Sequence, residues 1–162
     1  GEQNLAYTSQ KIKDISALLT NGSLDSAVGP QGLARMSMNS FTGAKSNFIA
    51  GVEQLREQLT LDKLTQAKQS GATFGALSEG ERQTLAAAAT KLGTWAVRDS
   101  AGNVKGYKVN ETDFKAELDK INNFAKLDFI LKGGRPEAVK VTEMDDGTLW
   151  TNNSDGTYTQ IK

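Results

Sequence analysis

Carboxylates are the side chains of this sequence that come closest to a catalytic arrangement. Glu79 and Glu81 stand at a predicted helix start, and Glu53 and Glu57 lie four positions apart on a predicted helix. A glycoside hydrolase needs one carboxylic acid with a raised pKa and an ionised partner across a cleft. The helix dipole instead favours Glu79 and Glu81 as anions, and Glu53 and Glu57 match an ordinary solvated helix face. We therefore predict that the chain is not an enzyme, with a carboxylate-dependent peptidoglycan hydrolase as the alternative.

The chain contains no histidine and no cysteine. It thus lacks the commonest general base, the commonest metal ligand and any thiol nucleophile or disulfide. Asp145, Asp146, Asn153 and Asp155 offer the oxygen ligands that calcium prefers, but they are split between two turns, whereas a calcium loop gathers its ligands in one segment. Hairpin turns are the preferred interpretation, and we predict no metal and no cofactor.

Glycines frame the segment Gly71–Gly75, which precedes a predicted helix. Such a segment can hold a phosphate at a helix N-terminus, but the Lys and Ser/Thr pair of a P-loop does not follow it. We predict a packed corner between two helices, with Gly71 ending the first, Gly75 permitting a tight turn and Phe74 as the large ring.

Four further rings, Trp95, Tyr107, Trp150 and Tyr158, fall in β-like stretches. They form either a platform for a carbohydrate or protein partner or the core of a small sheet. Together with the Phe74 ring they are the candidate partner-contact residues.

The helices that must position these groups are indicated by apolar residues at helical spacing in segments 9–20, 44–69, 78–92 and 111–132. Thr60 is a good cap inside the second segment, so that segment is one kinked helix or two short ones, with Leu61, Leu64 and Ala67 inward. Ser78 and Glu81 match a capping box, and Asn110 caps the last helix.

Alternating residues and turn signals predict strands elsewhere. A β-hairpin is expected near 94–109, with its turn at Asp99–Asn103. Two-residue turns at Asp146-Gly147 and Asp155-Gly156 predict a three-stranded antiparallel meander. The expected class is α+β: a mostly helical bundle over 1–134 with the hairpin inserted, then a meander over 135–162 packed on it or on a partner.

Residues 21–43 are rich in glycine and resemble a linker, with a loop at Gly29–Gly32. Met36, Met38 and Phe41 in this stretch form either an adhesive patch or side chains tucked onto the chain's own core.

Lys plus Arg and Asp plus Glu number 19 each, so the formal net charge is zero. Without clustered Lys and Arg we expect no sequence-specific nucleic-acid partner, and the weak mutual repulsion favours homo-oligomers. No stretch approaches the roughly 20 apolar residues of a membrane span. The N-terminus does not resemble a signal peptide, so folding in the cytoplasm is expected. Because Gly1 stands in place of an initiator methionine, we also expect a piece of a longer protein.

Residues 60–92 resemble a segment of the virion structural proteins of tailed bacteriophages. The most specific part is Gly71-Ala-Thr-Phe-Gly-Ala-Leu-Ser78, supported by Gly29-Pro-Gln-Gly32 upstream and by Asn110-Glu-Thr-Asp-Phe-Lys115 downstream. The C-terminal meander lies outside the resemblance. The resemblance carries over no catalytic residues.

This likeness implies a non-enzymatic structural or assembly module of a virion, in the tail or among internal DNA-ejection proteins. It implies protein–protein contacts with other virion proteins and with its own copies. A receptor- or glycan-binding tip built on the aromatic meander is a further alternative to the hydrolase.

Overall fold

Helices and two small antiparallel sheets surround a shared hydrophobic core in a computed structural model that describes residues 2–29 and 43–162. The helices are α1 (Glu2–Leu19), α2 (Leu24–Ala27), α3 (Gly43–Gln58), α4 (Leu61–Ser70), α5 (Glu79–Thr94) and α6 (Glu111–Leu131). The strands are β1 (Ala96–Arg98), β2 (Val104–Tyr107), β3 (Val141–Glu143), β4 (Leu149–Asn152) and β5 (Tyr158–Gln160), and a 3-10 helix spans Pro136–Val139. The predicted α+β class is confirmed. The predicted linker over 21–43 is wrong for its described part, where Leu24–Ala27 form α2 with Leu24 and Ala27 buried. The predicted patch of Met36, Met38 and Phe41 and the predicted loop beyond Gly29 lie outside the described residues.

Local signals set three helix starts where the sequence predicts them. Thr60 caps α4, Ser78 caps α5 and Asn110 caps α6, each by accepting the backbone N–H of the third helical residue. The Ser78 amide also donates to Glu81 Oε1, which completes the capping box. Each cap typically contributes about 1 kcal/mol, because it satisfies a helix N–H that has no partner within the helix.

Segment 44–69 is two helices rather than one, because Thr60 adopts an extended conformation. The expectation that Leu61 points inward is wrong, since Leu61 is 53% exposed. Of the residues of α4 only Leu64 is buried, because this short helix meets the core through a narrow stripe. Helix α1 begins at Glu2, seven positions before the predicted start.

Helix α6 lies at the centre of the core, where it packs against α1 and α5. Phe114, Leu118 and Ile121 of α6 are fully buried. The Phe114 ring centroid lies 6.3 Å from that of Phe48 on α3 and 5.0 Å from that of Tyr107 on β2. Burying each such side chain is worth about 1.5–3 kcal/mol, so these contacts fix the hairpin against the helices.

The strands form an antiparallel β1–β2 hairpin and a second sheet in the order β3-β4-β5. The expectation of two-residue turns in this second sheet is wrong. The Met144 N–H donates to Thr148 O at 2.8 Å, so three residues separate the paired ends, and φ is positive at Gly147 but not at Asp146. A two-residue type I′ turn would need positive φ at both central residues, whereas the observed three-residue loop needs it at the glycine alone. The hairpin closed by Gly156 follows the same pattern.

The C-terminal sheet packs on the helices of its own chain. Val139, Val141 and Leu149 belong to the same cluster of buried apolar residues as the helical core. One face of the sheet is therefore covered by the chain, whereas Thr142, Met144 and Tyr158 on the other face are exposed. Within residues 2–29 and 43–162, no helix is long and apolar enough to cross a membrane.

Candidate functional site

Two of the five candidate contact residues are buried. Phe74 is 3% exposed and lies at φ +73° in the corner between α4 and α5. Tyr107 is fully buried, and its hydroxyl donates to Glu53 Oε2 at 2.7 Å. Both are core residues that a partner cannot reach in this structure, so they are withdrawn as contact candidates.

Trp95 lies at the end of α5 rather than in a strand, with helical backbone angles of φ −86° and ψ −12°. Its half-buried ring lies 6.5 Å from the Phe114 ring, and the Lys91 ammonium lies 5.9 Å from the Trp95 ring centroid. Trp95 therefore closes the core beside the hairpin, whereas Trp150 and Tyr158 belong to the other sheet. The four rings do not form one platform.

Trp150 and Tyr158 share the uncovered face of the C-terminal sheet. Leu149 and Thr151 of β4 are buried, so the alternating residues Trp150 and Asn152 point to the opposite face. Tyr158 pairs directly with Asn152, which places its ring diagonal to Trp150 on that face. The Trp150 indole N–H donates a hydrogen bond to the Thr148 hydroxyl at 2.8 Å.

Met144 extends the same face at the end of β3. Thr142 pairs with Trp150, and Met144 follows two positions later, so its side chain points the same way. Met144 is 44% exposed and Tyr158 is 65% exposed. We call Met144, Trp150 and Tyr158 the outer face.

Polar contacts from α6 hold the inner side of this sheet. They join Lys126 Nζ to Thr151 Oγ1 at 2.7 Å, Ser154 Oγ to Asp119 Oδ2 at 2.6 Å and Asn123 Nδ2 to Asn153 Oδ1 at 2.9 Å. The contacts lie at both the middle and the end of β4. The outer face is therefore presented by a sheet whose position is fixed before any partner arrives.

Lys126 is a buried cation beneath the sheet. Burial lowers its pKa from the ordinary lysine value, an effect that nearby Asp119 partly offsets and Lys140 reinforces. A lysine with a lowered pKa beside a hydroxyl resembles the base and nucleophile of a covalent catalyst. Thr151, however, is only 1% exposed. No substrate can reach that hydroxyl in this arrangement, so the pair holds the sheet in place.

A groove of about 400 Å³ runs between β5 and α6. We call it the β5–α6 groove. Its apolar lining is Ala116, Phe124, Leu127 and Ile161, and its charged lining is Glu81, Asp119, Lys120 and Asp155. Two asparagines, two threonines and Gln160 complete its walls.

The hydrolase alternative requires a protonated carboxylic acid in such a groove. Glu81 is committed to the capping box, and Asp119 accepts both the hydroxyl and the backbone N–H of Ser154. Asp155 accepts the hydroxyl and the amide of Thr157, and these hydrogen bonds lower its pKa. A lowered pKa is the opposite of what a general acid needs. Glu79 lies outside the groove and is exposed.

The acidic turns serve the chain's own backbone. Asp146 accepts the hydroxyl and the amide of Thr148, which lowers the pKa of Asp146, just as Thr157 does for Asp155 in the next turn. Among residues 2–29 and 43–162, no group of three or more acidic side chains is placed to hold a metal ion.

The segment Gly71–Gly75 forms the predicted packed corner, although the positive-φ residues are Gly71 and Phe74 rather than Gly75. Gly75 is needed for close approach, because a Cβ there would lie 2.3 Å from Ala67 O. In a phosphate-binding loop, an amide at this position would be free to bind the ligand. Here the Ala76 amide donates to Asp128 Oδ1 at 2.8 Å. A carboxylate of the same chain therefore occupies the anion position.

Sequence reasoning missed the groups that hold this corner. Asp128 is fully buried, and its Oδ2 lies 2.7 Å from Lys132 Nζ. Lys132 also donates to Ala72 O at 2.7 Å and to the buried Thr8 hydroxyl at 3.3 Å. The sequence does carry one signal for this network, because Asp128 is a charged residue within a run of apolar residues. Thr8 gave none, because a threonine does not mark a buried helix face.

The expectation that Glu53 lies on a solvated helix face is wrong, since its side chain is half-buried. Its side chain accepts the Tyr107 hydroxyl and pairs with Arg56 at 2.6 Å, and Arg98 lies 4.0 Å away. These groups join α3 to the hairpin. The pKa of Tyr107 is raised far above its ordinary value, first by burial and then by this carboxylate. Glu57 is exposed, as predicted.

No protein-family model matches this chain, and neither any curated protein nor any solved structure is significantly similar to it.

Proposed function

We propose that this chain is a non-enzymatic structural or assembly module of a bacteriophage virion, acting through protein–protein contacts. Its place is in the tail or among the internal DNA-ejection proteins, and its partners are other virion proteins and further copies of itself. The resemblance of residues 60–92 supports the virion setting. The observation that carries the contact function is the outer face, where exposed Met144 and Tyr158 lie beside half-buried Trp150 on one side of an anchored sheet.

Aromatic and methionine side chains are enriched in protein interfaces, and Trp and Tyr dominate the few positions that carry most of the binding energy. The hydrogen bonds from α6 fix the sheet in advance, so little conformational entropy is lost when a partner docks. The zero net charge adds little repulsion between copies.

The experiment is a pull-down of the remaining virion proteins by the purified chain, with light scattering to measure self-association. The variants Trp150→Ala and Tyr158→Ala should each weaken capture at least tenfold. Tyr7→Ala is the matched control, because Tyr7 is similarly exposed, at 61%, but lies on α1. A strictly monomeric chain that captures no virion protein would refute the proposal.

Glycan binding is a second candidate function for the outer face. It is favoured by the diagonal placement of Trp150 and Tyr158, because a sugar ring can stack on neighbouring aromatic rings. Binding to isolated cell-wall glycan, compared between the native chain and Trp150→Ala, separates this function from protein docking. A point substitution is used because deleting residues 135–162 would also remove buried Val141 and Leu149 from the core.

A further inference from the structure

Strand β5 is an edge of the C-terminal sheet, since the strand order is β3-β4-β5. Two hydrogen bonds show which residues in and around β5 direct their backbone groups toward β4. The Ile161 N–H donates to Leu149 O at 2.8 Å, and the Asn153 N–H donates to Thr157 O at 2.7 Å. In an antiparallel ladder, positions that exchange hydrogen bonds alternate with positions that do not.

Tyr158 and Gln160 lie at the positions that do not exchange hydrogen bonds with β4, opposite Asn152 and Trp150. Their backbone N–H and C=O groups consequently point away from β4, toward the open side of the sheet. Such an edge is a template on which an extended chain can form a further strand.

The β5–α6 groove lies directly beside this edge. The groove is lined from the α6 side by Phe124 and Leu127, and from β5 and the residues around that strand by Thr157, Thr159, Gln160 and Ile161. Side chains of a strand alternate between its two faces. Every second side chain of a strand added to β5 would therefore enter the groove, and the others would lie beside Tyr158 on the outer face.

Charge determines which kind of segment fits. Among the residues that the structure describes, three carboxylates, those of Glu81, Asp119 and Asp155, line the groove against the single ammonium of Lys120. A second copy of this chain pairing edge to edge would bring the same three carboxylates together, which is unfavourable. A segment with basic side chains is attracted, and its apolar side chains find the Phe124 and Leu127 surface.

We infer that the β5–α6 groove binds an extended, cationic segment of a partner protein, which adds to the sheet as a strand beside β5. Backbone hydrogen bonds to Tyr158 and Gln160 supply affinity, and alternating basic and apolar side chains supply specificity. The inference deepens the proposed function, on which it rests for the premise that the chain acts through protein contacts. It assigns a second surface and a class of partner.

The probe is a fluorescein-labelled peptide of alternating Lys and Val, roughly ten residues long, as suits one added strand. Its binding to the full chain is measured by fluorescence anisotropy at about 0.15 M ionic strength. A peptide with Glu in place of Lys, and the Lys–Val peptide with alternate backbone amides N-methylated, are the comparisons. Each should bind at least tenfold more weakly. In NMR spectra, the Lys–Val peptide should shift the amide signals of Tyr158 and Gln160.

Two protein variants test the geometry. Gln160→Pro removes an outward-pointing N–H and should reduce Lys–Val binding at least tenfold, because proline is tolerated at such an edge position but cannot donate. Glu143→Pro is the matched control on the opposite edge strand β3, and it should leave binding unchanged. Lys120→Gln removes a cation that lines the groove and should tighten binding severalfold.

Several results would overturn the inference. If the Glu–Val peptide binds as tightly as the Lys–Val peptide, the charge argument is wrong. If Gln160→Pro and Glu143→Pro lose Lys–Val binding equally, the assignment to β5 is wrong. A dimer of the native chain that dissociates in Gln160→Pro would make a second copy the occupant. If virion capture depends on Trp150 but no Lys–Val binding is seen, the inference fails and the proposed function stands. If the peptide binds at β5 but no virion partner is captured, the proposed function fails instead.

Discussion

Replacing Asp128 by alanine tests the buried network that holds the corner between α4 and α5. The Asp128 carboxylate has no solvent exposure, accepts the Ala76 amide at 2.8 Å and lies 2.7 Å from the Lys132 ammonium. Asp128→Ala leaves this ammonium without a counter-ion in a place where its side chain is 12% exposed. It also leaves the Ala76 N–H without its acceptor.

Removing one partner of a buried ion pair typically costs about 3–5 kcal/mol. We expect that loss in the free energy of unfolding for Asp128→Ala, and a similar loss for Lys132→Met, which strands the carboxylate instead. The double variant strands neither charge. Its loss should therefore fall short of the sum of the single losses by about 1–3 kcal/mol.

Urea denaturation followed by circular dichroism measures all three variants. In a chain of this size about 1 kcal/mol corresponds to roughly 2–4 °C in Tm, so Asp128→Ala should melt about 6–20 °C lower. Asp62→Ala is the control, because Asp62 is exposed in the first turn of α4 and should cost less than about 1 kcal/mol. A loss below about 1 kcal/mol for Asp128→Ala, or strict additivity in the cycle, would refute the role assigned to the pair.

Three other stability predictions follow from single contacts. Gly75→Ala should cost about 1–3 kcal/mol, because its Cβ would meet the Ala67 carbonyl, whereas Gly80→Ala, with open space around its Cβ, should be neutral or stabilising in the same urea titration. Tyr107→Phe should cost about 1.5–3 kcal/mol by losing its hydrogen bond to a carboxylate, and an unchanged urea midpoint would count against that bond. Lys126→Met should lose the hydrogen bond to Thr151 that holds the sheet, and its loss of stability should grow with pH, because burial lowers the pKa of Lys126 and the unfolded chain binds that proton more readily. The stability of the native chain should rise with pH toward 10.5 relative to that of Lys126→Met, and a constant difference in urea midpoint between pH 7 and 10 would contradict this.

Features that depend on neighbours in the chain were predictable. Thr60, Ser78 and Asn110 cap helices as expected, because a cap involves only a side chain and an amide three positions away. The apolar stripe of α6 was predictable for the same reason, since a helix brings every third or fourth residue to one face. The turn at Asp146 was located correctly, but its length was not, because the φ of the aspartate selects between turn types.

The long-range polar contacts could not be read from the sequence. Asp128 finds an amide 52 positions away, and Tyr107 finds Glu53 54 positions away. Each partner is an ordinary polar residue in its own segment, and only packing decides that both become buried.

The sequence alone located most of each long helix, the meander and the absence of imidazole and thiol chemistry, because periodicity, caps and composition are local properties. Tertiary structure decided which rings face outward. Packing of the meander on α6 buried Leu149 and Thr151 and left Trp150 and Tyr158 on the open face, and packing of the hairpin on Phe114 enclosed Tyr107. Aromatic rings occur both in cores and at surfaces that meet a partner, so the residue type does not select one environment; the neighbour that covers the ring does.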